Sequence, residues 1–382
     1  MLYYIIGCDD FMKRVIFTCK NNYEKLALYE LNKFDVVSNF IKWLDDGVGL
    51  FETELKNKEL IEFINKQPII FTRHIFYVDS TDKIEGIVHK IVEEFLLKYK
   101  RKVSFCVQLR NSGDADCKYI VDSIQNQLNF NNYPLSIKKS DVIISLFVDN
   151  EDVYWGFGNA QLNISHWKGG MPHYSSSKEY KFVSRAEFKL LEAIECFGLD
   201  LSNMKIGADL GSAPGGWTKV LVDNDIKCVS IDPSYLRDEI SKNPKVIYYH
   251  MKVEEYLLLN DKTQFDIVVN DMKMDVLKSI SIVNQFYNKI KDNGIVVITF
   301  KLPHEFSYCD LHKCFSAFNG YTIIGVRQLF HNRSEITVIL KKDKNQDVSK
   351  YSHKTIINKK NKHGKKKSMS KKLQRKMSKK LK

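Results

Sequence analysis

Few folds can accommodate Asp209-Leu-Gly-Ser-Ala-Pro-Gly-Gly-Trp217. The stretch follows a short apolar lead-in, Ile206-Gly-Ala208, and runs into Thr218-Lys-Val-Leu-Val222, which can start a helix. A strand that ends in an acidic residue, a glycine-rich turn and a new helix form the first βα unit of a nucleotide-type pocket. Glycine at 211, 215 and 216 lets backbone lie against a ligand where a Cβ would collide, and allows positive φ in the turn. Pro214 gives up an N–H that a first helical turn would leave unpaired. The spacing is not GxGxxG and no GK[ST] follows, so a dinucleotide or a P-loop triphosphate fits poorly.

Around this turn the pattern is regular. Strands are expected at 206–210, 226–231, 246–249, 265–269 and 294–300, with helices from Gly215, over 253–258 and over 276–290. Two further strands, 321–326 and 335–340, close the series. Continuous β-branched runs alternating with helices mean a mostly parallel sheet buried on both faces. The fold class is therefore α/β and Rossmann-like, seven-stranded, with an antiparallel strand at one edge. A helix over 185–196 precedes it.

The N-terminal half alternates strand-like and helix-like runs without a phosphate turn, which describes small α+β modules. Residues 1–80 read as one (ferredoxin-like) and 81–170 as a second. Gly169-Gly170, Met171-Pro172 and Ser175–Ser177 mark a hinge at 171–183, before a domain over 184–342. Residues 350–382 hold 14 Lys, one Arg and no acidic residue, so this stretch carries more than the whole net charge of +13 and the remainder is near neutral, at about −2. Such a tail, within 343–382, cannot bury a core and is expected to be disordered and to meet a polyanion, RNA or DNA before an anionic membrane. The eight cysteines include no CxxC pair, which argues against zinc and against a disulfide framework. Cys309 and Cys314 with His304 and His312 match no common zinc spacing. No signal peptide or membrane span is evident, so a cytoplasmic protein is expected.

In an open α/β sheet, ligands bind beyond the carboxyl ends of the strands. Asp209, Asp232, Asp271 and Lys301 stand at such ends. Asp232 is where an acidic side chain would take ribose hydroxyls. Lys301 must emerge directly from the buried run GIVVITF, which makes it hard to read as surface decoration.

DLGSAPGGW, NDM at 270–272, the lysine after the fifth strand and NRSE at 332–335 together resemble the FtsJ-type 2′-O-ribose methyltransferases. The likeness covers 184–341. It implies a Rossmann-like methyltransferase domain, S-adenosylmethionine as cofactor, no metal, and a catalytic tetrad of Lys189, Asp271, Lys301 and Glu335. It also implies cofactor contacts from Ser184, Asp209, Gly211, Ser212, Ala213, Pro214, Gly215, Gly216, Trp217, Asp232, Glu254 and Asp271. Lys189, within SRAEFKLLEA, reads locally as a solvated helix lysine and gains its role only from this likeness. The long N-terminal half resembles the branch of the family that methylates a cytidine ribose in bacterial 23S rRNA, and 103–168 resembles a THUMP module. The implied partner is RNA, 23S rRNA or a ribosomal precursor, held by the N-terminal modules and the Lys-rich tail, with no membrane and no obligate protein partner. Trp155, His166 and Trp167 are candidates for stacking on bases.

Moving a methyl group from a sulfonium to a 2′-hydroxyl needs an in-line approach and removal of a proton from a poor acid. Lys301 is expected to accept that proton, while Lys189 lowers its pKa or steadies the alkoxide, and Asp271 and Glu335 orient the two amines. Three alternatives remain open at this point. An exocyclic-amine methyltransferase would carry an [ND]PP[YFW] turn, where this chain has Asn270-Asp-Met-Lys273. A tRNA or mRNA-cap 2′-O-methyltransferase would share the chemistry and differ in target. A non-catalytic RNA-binding or ribosome-assembly factor would keep the fold without cofactor affinity.

Overall fold

The computed structural model describes residues 12–56, 58–60, 62, 69–112, 117–137, 140–160, 174, 182–303 and 305–343. His166, Trp167, nearly all of the hinge and the basic tail lie outside them.

The first unit comprises β1 (Lys13–Cys19), α1 (Glu24–Lys33), β2 (Asn39–Asp45), β3 (Val48–Thr53) and β4 (Thr72–Tyr77). Its antiparallel sheet runs β2-β3-β1-β4, the strand order of a ferredoxin-like split βαβ. The second contains β5 (Ser80–Lys83), α2 (Ile87–Lys98), β6 (Phe105–Asn111), α3 (Lys118–Phe130), β7 (Val142–Asp149) and β8 (Asp152–Asn159). Its order is β5-β8-β7-β6, with β6 and β7 parallel. One face of α2 (Ile87, Ile91, Phe95) meets one face of α3 (Ile120, Ile124, Leu128) in its core. Trp155 belongs to that core: it is fully buried and its Nε1 donates to Asp82 at 2.9 Å. It is thus unavailable to a nucleic-acid base, a correction to its reading as a stacking platform.

The third unit opens with α4 (Ala186–Phe197), which Gly198 ends in a left-handed turn. Then come β9 (Ile206–Leu210), α5 (Gly216–Asp223), β10 (Lys227–Ile231), α6 (Asp238–Ser241), β11 (Val246–Tyr249), α7 (Val253–Tyr256) and β12 (Phe265–Asn270). The unit closes with α8 (Val276–Gln285), β13 (Ile290–Lys301), α9 (Tyr308–Phe315), β14 (Tyr321–Arg327) and β15 (Glu335–Lys342). The sheet runs β11-β10-β9-β12-β13-β15-β14. Strand order reverses between β9 and β12, so the ligand crevice of such a sheet opens above their carboxyl ends.

Two details differ from the sequence reading. The antiparallel strand is β15, lodged between β13 and β14 rather than at the edge. Its first six residues are all buried and gain by a place inside the sheet, whereas β14 alternates with exposed positions and suits the rim. Helix α9 was not anticipated; Ser307 and Asp310 start it with a reciprocal capping box.

The first unit docks on the third. Gln328 N–H donates to Ile70 O at 2.8 Å, Arg73 Nη2 to Leu329 O at 2.9 Å and Arg327 Nη2 to Arg73 O at 3.1 Å. One apolar cluster runs from Phe17, Leu31 and Phe71 to Tyr308, Leu311 and Phe300, so the two units share a core.

Candidate active site

Lys189 projects from α4, Asp271 follows the last residue of β12, Lys301 ends β13 and Glu335 begins β15. The four side chains meet above the switch point. Lys189 Nζ lies 3.1 Å from Asp271 Oδ2 and is paired with Glu335 Oε1. Lys301 Nζ is paired with Asp271 Oδ1 and lies 3.7 Å from Glu335 Oε1. Each amine therefore bridges both carboxylates. Opposite register produces the last contact, since Lys301 and Glu335 face each other across β13 and β15. All four side chains are mostly buried, Glu335 at 7% exposure and Lys301, the most open, at 19%.

Thr299 joins the group: its Oγ1 donates to Asp271 Oδ1 at 2.6 Å and accepts from Lys301 Nζ at 2.9 Å. Sequence reasoning passed over it, although it shares a face of β13 with Lys301, two residues away. Burial opposes ionisation of Asp271, but Lys301, Lys189 and Thr299 outweigh it and hold the carboxyl below the usual carboxylate range. Burial likewise opposes the charge of Lys189, and Asp271 and Glu335 overcome it, so its ammonium is held above the ordinary lysine value. Lys189 is thus a fixed cation.

Beside the tetrad lies the glycine turn. Gly211 has φ +75°, and a Cβ there would run into Met272 Cγ. Gly216 packs against Ser184, whose Oγ a Cβ would overlap. Ser184 also starts α4: its Oγ accepts from Ala186 N–H at 3.3 Å. Pro214 precedes the helix instead of occupying its first turn, because α5 begins only at Gly216 after Gly215 N–H closes a turn on Ser212 O at 2.6 Å. Asp232 accepts from Ala213 N–H at 3.0 Å and Ser234 N–H at 2.6 Å, which orients its carboxylate at the end of β10.

Three expected cofactor contacts are placed elsewhere. Asp209 is 2% exposed under the turn, with Oδ2 accepting from Thr218 Oγ1 at 2.7 Å. Burial pushes its carboxyl up to about 7, so it props the turn from below. Trp217 puts its indole into the core on the α4 side, where Nε1 donates to Ala186 O at 2.7 Å. It fixes the helix that carries Lys189. Glu254 is exposed in the first turn of α7 and makes no hydrogen bond or ion pair to the turn or tetrad among the described residues.

S-adenosylmethionine fits what remains. The Ser212 hydroxyl is buried and without a hydrogen-bond partner among the described residues, as expected of a group that awaits a ligand. The glycines leave a cradle that side chains would fill, and Asp232 can accept further hydrogen bonds from ribose hydroxyls. Among the described residues no cluster of His, Cys, Asp or Glu could hold a metal ion, and no helix is long and apolar enough to cross a membrane.

Residues 182–335 match the FtsJ-like methyltransferase family. The chain is 28% identical over 166 residues to the uncharacterized protein MJ1257 of Methanocaldococcus jannaschii, covering 42% of this chain and 47% of that one. Ribosomal RNA large subunit methyltransferase M of Pseudomonas aeruginosa is 25% identical over 216 residues, covering 52% and 58%. The protein of that name from Aeromonas salmonicida is 24% identical over 363 residues, covering 86% and 96%. The chain thus spans about half the length of the first two relatives and almost all of the third.

Proposed function

We propose, from the premise that this chain carries an FtsJ-like, S-adenosylmethionine-dependent methyltransferase domain across residues 182–335, that it methylates a ribose 2′-hydroxyl of RNA. Large-subunit ribosomal RNA is the favoured substrate, with a cytidine as the target nucleotide. The relatives named for large-subunit ribosomal RNA and the lysine-rich tail support the choice of RNA, and the cytidine rests on the family resemblance of the N-terminal half. Residues 81–170 and the tail serve as its RNA-binding parts. The observation that carries the reading is the convergence of Lys189, Asp271, Lys301 and Glu335 from one helix and three strands.

The cofactor supplies an electrophilic methyl carbon on a sulfonium. Ser212, Ala213–Gly216 and Asp232 hold it. Lys301, after passing its ammonium proton to solvent at the mouth of the crevice, accepts the proton of the 2′-hydroxyl at Nζ; Thr299 and Asp271 fix where that nitrogen points. Lys189 keeps its charge and steadies the oxygen as negative charge develops on it. Asp271 and Glu335 set the spacing of the two amines. The low exposure of all four tetrad side chains limits competing water.

Lys301→Ala tests the assignment. Methyl transfer to ribosomal RNA should fall by at least about 10²-fold, while affinity for S-adenosylmethionine stays near that of the unsubstituted protein. Product is scored as a nucleotide that resists alkaline cleavage. Undiminished turnover in this variant would overturn the role of Lys301.

A further inference from the structure

The segment that leads into Glu335 is held from outside the methyltransferase domain. The turn between β1 and α1, Lys20 to Tyr23, closes with Tyr23 N–H on Lys20 O at 3.0 Å. Half-buried Lys20 reaches Asn332 O at 3.4 Å, on the segment that leads into Glu335. That segment is fixed, because the buried Asn332 Oδ1 accepts from Leu329 N–H at 2.9 Å and Thr337 Oγ1 at 3.1 Å. The turn is fixed as well. Tyr23 stacks on Phe71 with ring centroids 5.8 Å apart, and Glu30 takes the Phe71 N–H at 2.9 Å. Glu335 lies three residues beyond Asn332, whose carbonyl Lys20 reaches.

The tetrad's two ammonium groups and two carboxylates cancel. Lys20 and the exposed Arg333 are then in surplus, for neither pairs with a carboxylate among the described residues. Burial, then the charges of Arg73 and Arg333, press the Lys20 ammonium below the ordinary lysine value, with Glu335 in opposition. A partly desolvated cation without a counter-charge costs free energy until an anion reaches it. In RNA every internal ribose carries a phosphodiester beside its 2′-hydroxyl.

Resting on the reading of this site as an RNA 2′-O-methyltransferase, we propose that Lys20, with Arg333, binds the phosphate flanking the target ribose, so the N-terminal ferredoxin-like unit completes the acceptor site. Lys20 grips the phosphate from the turn, and Arg333 from the segment before Glu335. The hydroxyl is thereby presented to the tetrad, and sequence is read elsewhere.

The test uses the full chain and ribosomal RNA with Lys20→Gln, Arg333→Gln and Lys20→Arg. Lys20→Gln should raise KM for RNA about tenfold or more and lower kcat far less. It should also flatten the slope of log affinity against log salt by about one. Arg333→Gln should act in the same direction, and Lys20→Arg should restore most of the affinity. Unchanged melting and unchanged affinity for S-adenosylmethionine separate these effects from damage to the fold. Wild-type KM and salt slope in both glutamine variants would overturn the proposal and leave the methyltransferase reading standing. A parent protein that binds the cofactor but methylates no RNA would overturn that reading first, and this proposal with it.

Discussion

Asp271→Asn strikes the tetrad at its hub. The substitution keeps the shape of the side chain and deletes one negative charge. Two ammonium groups then share Glu335 alone, in a crevice where no tetrad side chain is more than 19% exposed. Removing one partner of a buried ion pair costs about 3–5 kcal/mol; the residual exposure favours the lower end, near ~3 kcal/mol. For a domain of this size, that lowers Tm by roughly 6–12 °C. One lysine can relieve the strain by losing its proton. A lysine pKa depressed in the folded state means that the unfolded chain binds more protons, so stability rises with pH. The Tm deficit should therefore be greatest near neutral pH and shrink toward about pH 9. Turnover should drop by about 10²-fold or more, because Lys301 loses the acceptor that aims it. Thermal melting across that pH range, with methyl transfer measured beside it, checks both. A variant that melts with the parent at neutral pH and methylates at the parent's rate would refute the view that Asp271 holds the amines.

Two more predictions concern the turn. Gly211→Ala sets a Cβ at φ +75° against Met272 Cγ, and either backbone strain or displacement of the Asp271–Met272 link should weaken cofactor binding about tenfold or more; unchanged affinity by calorimetry would contradict the close approach. Asp209 has a folded-state pKa of about 7 against 3.8 in the free residue; its stabilising contribution is complete below the lower value and lost as pH rises through the upper one. Asp209→Asn should then match the parent in melting temperature at about pH 3.5, exceed it by a widening margin up to about pH 7 and hold that excess above, and a constant difference across that window would count against it.

Much of the site was legible because its parts stand at the ends of strongly apolar strands. Asp271 and Lys301 each follow a run of buried β-branched residues, Asp232 and the Asp209–Trp217 turn each follow or close a short buried strand, and that pattern states where the chain reaches the crevice. Legibility failed where the signal was not local. Strand β2 is mostly exposed and β5 is Ser-Thr-Asp-Lys, so neither edge strand shows the alternation of buried and exposed residues that marks a strand. Helix α9 carries a capping box at Ser307 and Asp310, but its Cys and His residues drew attention to metal chemistry instead. Trp155 and Trp217 were read as ligand contacts, yet an indole beside apolar neighbours is a large core residue once its N–H finds an acceptor, as both do. Lys20 gave no local sign at all, since its position depends on how two units dock.

The placement of β15 links topology to chemistry. Parallel strands bring only their carboxyl ends to the crevice, so a sheet built wholly of them would offer the residues that follow each strand. Glu335 is the first residue of its strand. It reaches the tetrad because β15 runs against β13, which sets the beginning of one beside the end of the other and pairs Glu335 with Lys301. A parallel strand at that place would bring its other end, Lys342, to the crevice, adding a third cation where a carboxylate is needed. Inserting β15 inside the sheet also binds the segment before it, residues 328–334, to the first unit through Ile70, Arg73 and Lys20. The inversion that completes the charge balance thus also ties the N-terminal unit to the segment that delivers Glu335.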